Sequence, residues 1–231
     1  MNSKKTAVVV GATGNLGSAI VSALQKAGYE VDPTWTGANH PDATLASSYK
    51  NLPSRIDLAV YAAGDNVVKP IQELSEEEFD HVMSVNMRGA FLLARATFAG
   101  LKAAKGTFVT ISSINSVFPY PNRAAYCTSK AALEGLTRQL AVEWGEHGIS
   151  THCIRLGPLN KLMKATTKNA KDPAALEGIL AAIKKRMPAH ELIPSEAVAE
   201  YIVHLAAGGA RWVTGQVTDF DAGYTRNIYP L

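Results

Sequence analysis

The sequence predicts an α/β protein with a doubly wound parallel sheet, covered by helices on both faces to give three layers. Apolar runs of strand length alternate with helical patterns from end to end, and this alternation is typical of parallel strands buried on both faces. The chain has 231 residues, of which 47% are hydrophobic and 19% charged. It is therefore long enough for one large core, and we expect a single domain over residues 1–231.

Each element has its own signal in the sequence. The predicted strands are residues 6–10, a second strand around Val31, 58–62, 107–111, 150–154 and 216–220. The predicted helices cover 16–27 with a stop at Gly28, 75–98 after a capping box at Ser75 and Glu78, 124–144, 174–186 after an N-cap at Asp172, and a last helix capped by Ser195.

The connection between the second and third strands is predicted to be shortened. Residues 31–56 cannot hold two full crossovers of about a dozen residues each. Pro33 lies inside the second strand and cannot donate a ladder hydrogen bond, so we expect this strand at or near the sheet edge, followed by a loop over 37–41.

Composition excludes several classes of protein. The chain has no apolar run that could span a bilayer and begins without a signal-peptide pattern, so we expect a cytoplasmic protein. Cys127 and Cys153 are too few for a disulfide framework and lack metal-ligand spacing, so no metal site is expected. The formal charge of +3 comes with no basic tract interleaved with aromatics, which argues against a nucleic-acid partner.

A glycine-rich turn, Gly11-Ala12-Thr13-Gly14-Asn15-Leu16-Gly17, joins the first strand to the first helix. Glycines let the backbone approach a pyrophosphate, and the helix N-terminus offers N–H donors and partial positive charge. A tight turn without a ligand would use the same residues. The position of the turn favours the first interpretation and a Rossmann-type dinucleotide site.

A second pattern places Tyr126 and Lys130 four residues apart on one helix face. An ammonium group beside a phenol favours the phenolate, so Lys130 is expected to lower the pKa of Tyr126 and make it a usable acid/base. Ser113 ends the strand before this helix, at the sheet edge where α/β proteins bind ligands. An aromatic and a surface lysine on an amphipathic helix would be the structural alternative for the pair alone.

Taken together, these motifs resemble the short-chain dehydrogenase/reductase family over nearly the whole chain. Tyr61-Ala62-Ala63-Gly64 resembles the family's Asn-Asn-Ala-Gly, Asn86 its helix asparagine, and Ser113, Tyr126 and Lys130 the rest of its catalytic tetrad. Ile154-Arg155-Leu156-Gly157-Pro158 is similar to its turn beside the nicotinamide.

The resemblance implies hydride transfer between a nicotinamide dinucleotide and a small carbonyl or alcohol compound. Ser113 would bind the substrate oxygen, Tyr126 would exchange its proton, Lys130 would hold the nicotinamide ribose, and the Asn86 carbonyl would hold a water. The residues that it assigns to the cofactor are Gly11, Thr13, Gly14, Asn15, Leu16, Gly17, Thr34, Thr36, Asp42, Ala62, Ala63, Gly64, Tyr126, Lys130, Gly157 and Pro158. A sensor or scaffold that binds the dinucleotide without catalysis, and an isomerase or dehydratase using the same tyrosine, remain open.

Three finer expectations follow. The family's NAD-specific members carry an acid where Thr34-Trp35-Thr36 stands here, so NADP(H) is favoured over NAD(H). The family pairs its two long helices across a two-fold axis, so a homotetramer or homodimer is expected. Residues 158–190 are expected to form a substrate lid, and residues 161–186, with seven Lys or Arg against two acids, could attract an anionic substrate or could be solvated surface.

Overall fold

The computed structural model describes residues 4–35, 40–160 and 173–227. Six strands form one sheet in the order β2-β1-β3-β4-β5-β6, and every neighbouring pair is parallel. In chain order they are β1 (Thr6–Val10), β2 (Glu30–Val31), β3 (Leu58–Tyr61), β4 (Thr107–Ser113), β5 (Ser150–Leu156) and β6 (Gln216–Phe220). The predicted α/β class and parallel sheet are confirmed.

Helices cover both faces of the sheet, as predicted. Their bounds are α1 (Asn15–Lys26), α2 (Glu76–Met83), α3 (Gly89–Ala104), α4 (Ala124–Trp144), α5 (Pro173–Arg186) and α6 (Ser195–Ala206). Helices α1 and α6 pack on each other, while α3 and α4 pack on the central strands, where the Phe98 and Trp144 rings lie 5.6 Å apart. Within the described ranges, no helix is long and apolar enough to cross a membrane.

The central strands explain why these runs are apolar. All four residues of β3 and all seven of β4 are buried, since helices cover the sheet on both sides. Val60 and Phe108 are fully buried within this core. Because all strands run in parallel, the residues that follow them collect at one carboxyl edge, and the sequence motifs follow β1, β3, β4 and β5 there.

The predicted helix over 75–98 is wrong in one respect. Its capping box is confirmed, because the Ser75 side chain accepts from the Glu78 amide and the Glu78 side chain accepts from the Ser75 amide. However, the helix is divided by a π-helical turn at Ser84–Arg88 and continues to Ala104. A π turn inserts an extra residue, which a hydrophobic pattern with a period of 3.6 does not reveal.

Two local expectations around prolines are also corrected. Strand β2 ends at Val31, and Pro33 lies in a 3₁₀ turn (Pro33–Trp35) rather than inside the strand. The expected edge position of β2 and the shortened crossover are confirmed, since the described part of this connection holds only 3₁₀ turns. At α6 the cap residue is Pro194, not Ser195, and the Ser195 hydroxyl is buried with no hydrogen-bond partner among the residues that the structure describes.

Candidate active site

The glycine-rich turn packs directly against the end of β3. Gly11 has a φ of +85°, and a Cβ there would lie 2.5 Å from the Ala63 nitrogen. A Cβ on Gly17 would lie 2.0 Å from the Gly11 oxygen, so neither position accepts a side chain. No side chain caps the start of α1 at Gly14. The start of α1 therefore presents the partial positive charge of a helix N-terminus to an acceptor such as a phosphate oxygen.

Asn86 joins three elements of the site. Its Oδ1 accepts from the Asp65 amide at 2.7 Å, and its Nδ2 donates to the Asp65 carbonyl at 2.9 Å and to Ser129 Oγ at 2.8 Å. Asn86 is fully buried and lies in the π turn between α2 and α3. Its side chain therefore ties the residues after β3 to α4, the helix that carries Tyr126 and Lys130.

Tyr61 stabilises the same π turn from β3. Its hydroxyl donates to the Val85 carbonyl, one of the carbonyls that a π turn leaves without its usual helical partner. A Cβ on Gly89 would lie 2.0 Å from the Tyr61 hydroxyl oxygen, so glycine is required there. Burial raises the pKa of Tyr61 well above its usual value, which keeps this phenol protonated as a hydrogen-bond donor.

Ser113 ends β4 and also begins the turn that follows. Its Oγ accepts from the Asn115 amide at 3.2 Å and caps a short 3₁₀ turn, Ile114–Ser116. The same side chain lies close enough to Tyr126 to act on the pKa of its phenol. Thus the serine and tyrosine predicted from the sequence lie together at the carboxyl edge of the sheet.

Tyr126 and Lys130 are both buried, at 7% and 4% exposure. Burial raises the pKa of Tyr126, while the hydrogen bond from Ser113 and the charge of Arg123 lower it. Lys130 Nζ donates to the Ile111 carbonyl at 2.8 Å and lies 5.6 Å from the centre of the Tyr126 ring. The expected lowering of the Tyr126 pKa by Lys130 is therefore not found, because desolvation outweighs the nearby charges.

Lys130 is itself shifted by its surroundings. Burial lowers the pKa of its ammonium group to about 8, because a charged amine is poorly solvated in the protein interior. A Cβ on Gly64 would lie 3.4 Å from Lys130 Nζ and 3.5 Å from Asn86 Oδ1. The end of β3 therefore approaches the lysine closely enough to share one binding surface with it.

These residues fit a dinucleotide. The turn at Gly11 and Gly17 provides close backbone approach and an uncapped helix start, and Gly64 borders Lys130. On the other side, the Gly157 amide donates to the Phe220 carbonyl at 3.0 Å and the Pro158 carbonyl accepts from Ile193 at 3.0 Å. All follow the carboxyl ends of strands, which is where α/β sheets bind nucleotides.

No cluster of His, Cys, Asp or Glu suited to a metal ion occurs within the described ranges.

The residues predicted to bind the adenosine part of the dinucleotide are exposed where the structure describes them. Thr34 is exposed and lines a cavity of about 320 Å³ together with Ser47, Ser48 and Lys50. Asp42 is exposed, and its Oδ1 accepts at 2.8 Å from both the amide and the hydroxyl of Thr44. Those hydrogen bonds lower the pKa of Asp42. Thr36 lies outside the described residues.

Sequence reasoning missed an acidic residue near β2. Asp32 follows the strand and donates its amide to the Ala7 carbonyl at 2.8 Å, so it continues the pairing and lies opposite Val8. It is thus two residues, or roughly 7 Å, short of the end of β1 at Val10. Asp32 is 7% exposed, and its carboxylate accepts from the Thr34 amide at 2.8 Å. The Asp32 carboxylate thus stabilises the turn after β2 by accepting this hydrogen bond.

A buried ion pair below Ser113 was also missed. Arg155 of β5 donates to both oxygens of Glu134 in α4, at 2.9 Å from Nε and 2.7 Å from Nη2. A third donor, Nη1, lies 2.6 Å from Asp219. The signal was present in the sequence, since Glu134 lies one helical turn after Lys130 and Arg155 is the charged residue of an otherwise uncharged strand.

The expected lid is only partly described, because residues 161–172 lie outside the described ranges. In α5, Ile183 packs against the core, whereas Ile179 is 45% exposed. The Arg186 guanidinium lies 4.5 Å from the centre of the Tyr224 ring. The backbone carbonyl of Arg186 accepts a hydrogen bond from the Asn227 side chain at 3.0 Å. The end of α5 is therefore fixed to the turn after β6.

The parallel sheet, its glycine-rich first turn and the Ser113, Tyr126 and Lys130 side chains define a dinucleotide-binding α/β oxidoreductase class. Comparison with known proteins agrees. A family model described as enoyl-(acyl carrier protein) reductase matches residues 36–225. The chain belongs to the short-chain dehydrogenase/reductase family, whose members use nicotinamide dinucleotides.

Individual relatives support this assignment. An uncharacterized oxidoreductase of Mycobacterium tuberculosis is 30% identical over 253 residues, covering 96% of this chain and 91% of its own. An uncharacterized oxidoreductase of Thermotoga maritima is 35% identical over 173 residues, covering 74% of this chain and 68% of its own. The crystal structure of a putative short-chain alcohol dehydrogenase from Sinorhizobium meliloti has a TM-score of 0.86 at 25% identity and covers 97% of each chain.

Proposed function

We propose that the protein transfers a hydride between NADP(H) and a small carbonyl or alcohol compound, with Tyr126 as the acid/base. The observation that carries this proposal is the proximity of the Ser113 side chain to the buried Tyr126 phenol, one helical turn from Lys130 and beside the residues that would hold the cofactor. Two hydroxyl groups at one point can bind and protonate a single carbonyl oxygen.

The chain's own residues divide the work as follows. Ser113 donates to the substrate oxygen and fixes its position, and Tyr126 gives that oxygen a proton in reduction or removes it in oxidation. When bound, the nicotinamide supplies or accepts the hydride at its C4. Lys130 would hold the ribose hydroxyls, and Asn86 keeps α4 at a fixed distance from the end of β3. The raised pKa of Tyr126 keeps the phenol in the acid form that carbonyl reduction requires.

The preference for NADP(H) over NAD(H) is supported at the adenosine end. Recognition of a ribose 2′-phosphate needs hydrogen-bond donors and positive charge, and the cavity beside Thr34 is lined by Ser47, Ser48 and the exposed Lys50. A carboxylate there would repel the phosphate. The nearest acid after β2, Asp32, is buried below the sheet edge and accepts a hydrogen bond from its own turn.

The substrate class is proposed to include anions. The exposed Lys184, Lys185 and Arg186 end α5, and further lysines of the basic stretch lie outside the described residues. Positive charge around a cleft raises the local concentration of a negatively charged substrate. The helix dipole also favours cations at this helix end, so these residues could equally be surface charges with no role in substrate binding. The dependence of activity on salt concentration distinguishes attraction of an anionic substrate from that alternative.

A direct assay tests the proposal. Purified protein should consume NADPH, followed at 340 nm, with at least one member of a panel of ketones, aldehydes and quinones. A thermal-shift comparison of NADPH and NADH run beforehand establishes that the protein is folded and binds cofactor. Stabilisation by a dinucleotide with no turnover of any panel member would favour a sensor or scaffold over an enzyme.

A further inference from the structure

The ion pair between the buried Glu134 of α4 and the partly buried Arg155 of β5 contacts the 3₁₀ turn, Ile114–Ser116, that follows Ser113. Glu134 is 4% exposed and receives two hydrogen bonds from the guanidinium. Burial raises the pKa of Glu134, but its hydrogen bonds to Arg155 and Ser116 outweigh this and hold the pKa below its usual range. The carboxylate is therefore ionised at neutral pH, and its two hydrogen bonds to Arg155 join α4 to β5.

Two serines connect this pair to the residues around Ser113. Ser116 Oγ contacts Glu134 Oε1, accepts from Arg155 Nε at 3.1 Å, and lies 2.7 Å from the Ser113 carbonyl. Ser112 Oγ lies 3.0 Å from Glu134 Oε1 and 3.0 Å from the Lys130 carbonyl. Ser112 precedes Ser113 in the chain and Ser116 follows it, so Glu134 contacts the chain on both sides of Ser113.

Both oxygens of the Glu134 carboxylate have hydrogen-bond partners. Glu134 Oε1 receives Arg155 Nε and faces both serine hydroxyls, while Oε2 receives Arg155 Nη2. The third guanidinium nitrogen, Nη1, donates to Asp219, whose other oxygen pairs with Arg226 at 2.6 Å. The guanidinium is therefore held from α4, from β6 and from the turn after β4.

Energetics alone does not explain this arrangement. A buried ion pair gives little or no net stability over well-packed apolar side chains, because removing two charges from water is costly. Geometry provides a reason, since hydrogen bonds to a fixed acceptor hold a backbone turn more narrowly than apolar packing does. For a reaction that requires two hydroxyls on one oxygen, a displacement of about 1 Å can reduce the rate on the order of 100-fold.

We propose that Glu134 and Arg155 are positioning residues for the reaction: through the Ser116 hydroxyl they fix the turn that presents Ser113 to Tyr126. This inference rests on the proposed function for its effect on rate, but the tie itself is a property of the fold. Neither residue contacts substrate. Their contribution is expected in the catalytic step and not in cofactor binding, because Ser116 and Ser112 link them to the backbone carbonyls of Ser113 and Lys130, while the Lys130 ammonium group donates to the Ile111 carbonyl.

The test uses Ser116→Ala, which removes the connecting hydroxyl and leaves the ion pair in place. We expect kcat to fall about 10- to 100-fold, with the Kd for cofactor unchanged, and Ser116→Thr to restore most of the loss because it keeps the hydroxyl. Arg226→Ala is the matched control. It removes the outer, exposed partner of Asp219 without contact to Ser116, and its kcat should equal that of the wild type.

Hydrogen exchange provides a readout that needs no substrate. Asn115, Val117 and Phe118 donate their amides within the turn, to Ser113 Oγ and the Ile114 carbonyl, and these amides should exchange faster in Ser116→Ala than in the wild type or Arg226→Ala. Equal exchange in all three proteins overturns the tie. If exchange is faster but the wild type turns over no carbonyl compound, the proposed function fails and the tie stands.

Two kinetic outcomes would also overturn the inference. One is a Ser116→Ala kcat within about twofold of the wild type, and the other is an equal loss in Ser116→Ala and Arg226→Ala, which would indicate general weakening. Glu134→Gln is a second variant, since the amide keeps an acceptor for the serines but loses the charge that Arg155 requires. It should also lower kcat without changing the Kd for cofactor, and wild-type kcat in this variant contradicts the role given to the ion pair.

Discussion

The Ser113 hydroxyl at the end of β4 lies beside the Tyr126 phenol of α4, close enough to oppose the rise in the pKa of that phenol that burial causes. The two residues are 13 positions apart in the chain and come from different elements. Their proximity depends on three separate restraints: the 3₁₀ turn capped by Ser113, the Asn86 side chain that ties α4 to the end of β3, and the Glu134 carboxylate below. Asn86 and Glu134 thus help to hold α4 and the turn after β4 in place around Ser113 and Tyr126.

A first prediction concerns the pH dependence of stability. The folded-state pKa of Lys130 is lowered from 10.5 to about 8, so between those values the unfolded chain binds more protons than the folded one. This group therefore makes stability rise with pH from about 8 to 10.5, with a total of up to about 3 kcal/mol. Urea unfolding of the wild type and of Lys130→Met should show the wild type gaining stability relative to the variant across this window.

The other titratable groups are present in both proteins, so the difference between the two reports on the lysine. A Lys130→Met difference that stays constant from pH 7.5 to 10 would contradict the buried, charged lysine. The same comparison at pH 6 and 7 serves as the baseline, since Lys130 is fully protonated there in both the folded and the unfolded state.

A second prediction concerns the choice of cofactor. Lys50 lines the cavity beside Thr34, where its charge would bind a 2′-phosphate that NADPH has and NADH lacks. We expect Lys50→Ala to weaken NADPH binding on the order of 10-fold, in line with the loss of one charged hydrogen bond, and to leave NADH binding unchanged. Isothermal titration calorimetry measures both constants, and Lys26→Ala, on the exposed side of α1, is the control. A wild-type Kd more than tenfold tighter for NADH would reverse the assignment.

The third prediction separates charge attraction by the basic stretch from ordinary surface charge. For an anionic substrate, kcat/KM should fall as salt shortens the Debye length from about 30 Å at 0.01 M to about 10 Å at 0.1 M. A variant with Lys161, Lys164 and Lys168 changed to Ala should lose most of that dependence. A neutral carbonyl compound gives the reference slope. If neutral compounds are preferred and neither salt nor the variant changes kcat/KM, the positive charges have no role in substrate capture.

A fourth prediction concerns assembly. Phe91 of α3 is 45% exposed and Val142 of α4 is 81% exposed, on the helices predicted to pair across a two-fold axis. Light scattering should show a homotetramer, and Phe91→Glu should shift it to a smaller species because it would bury an unpaired charge. Ser22→Glu introduces the same charge at an exposed position of α1 and should not. A monomer at micromolar concentration would remove the prediction.

The sequence allowed the sheet and the grouping of Ser113, Tyr126 and Lys130 to be predicted because both rest on local signals. Buried parallel strands are continuous apolar runs, and the spacing of Tyr126 and Lys130 is fixed by one helix. The π turn at Asn86 could not be predicted in this way, since it depends on Tyr61 donating from a strand to the Val85 carbonyl. Likewise, the pKa of Tyr126 depends on how deeply the phenol is buried, which no spacing in the sequence reveals.

The central claim is that Tyr126 transfers the proton. Tyr126→Phe removes one hydroxyl and keeps the ring, so kcat should fall by about 10² to 10⁴, while the Kd for NADPH stays within about twofold of the wild type. Tyr201→Phe removes a hydroxyl that contacts Thr218, away from the catalytic residues, and should leave kcat unchanged. The direct measurement is kcat of the three proteins on the best substrate of the carbonyl panel. Loss in Tyr126→Phe alone is predicted, and activity above roughly a hundredth of the wild type in that variant would contradict the account.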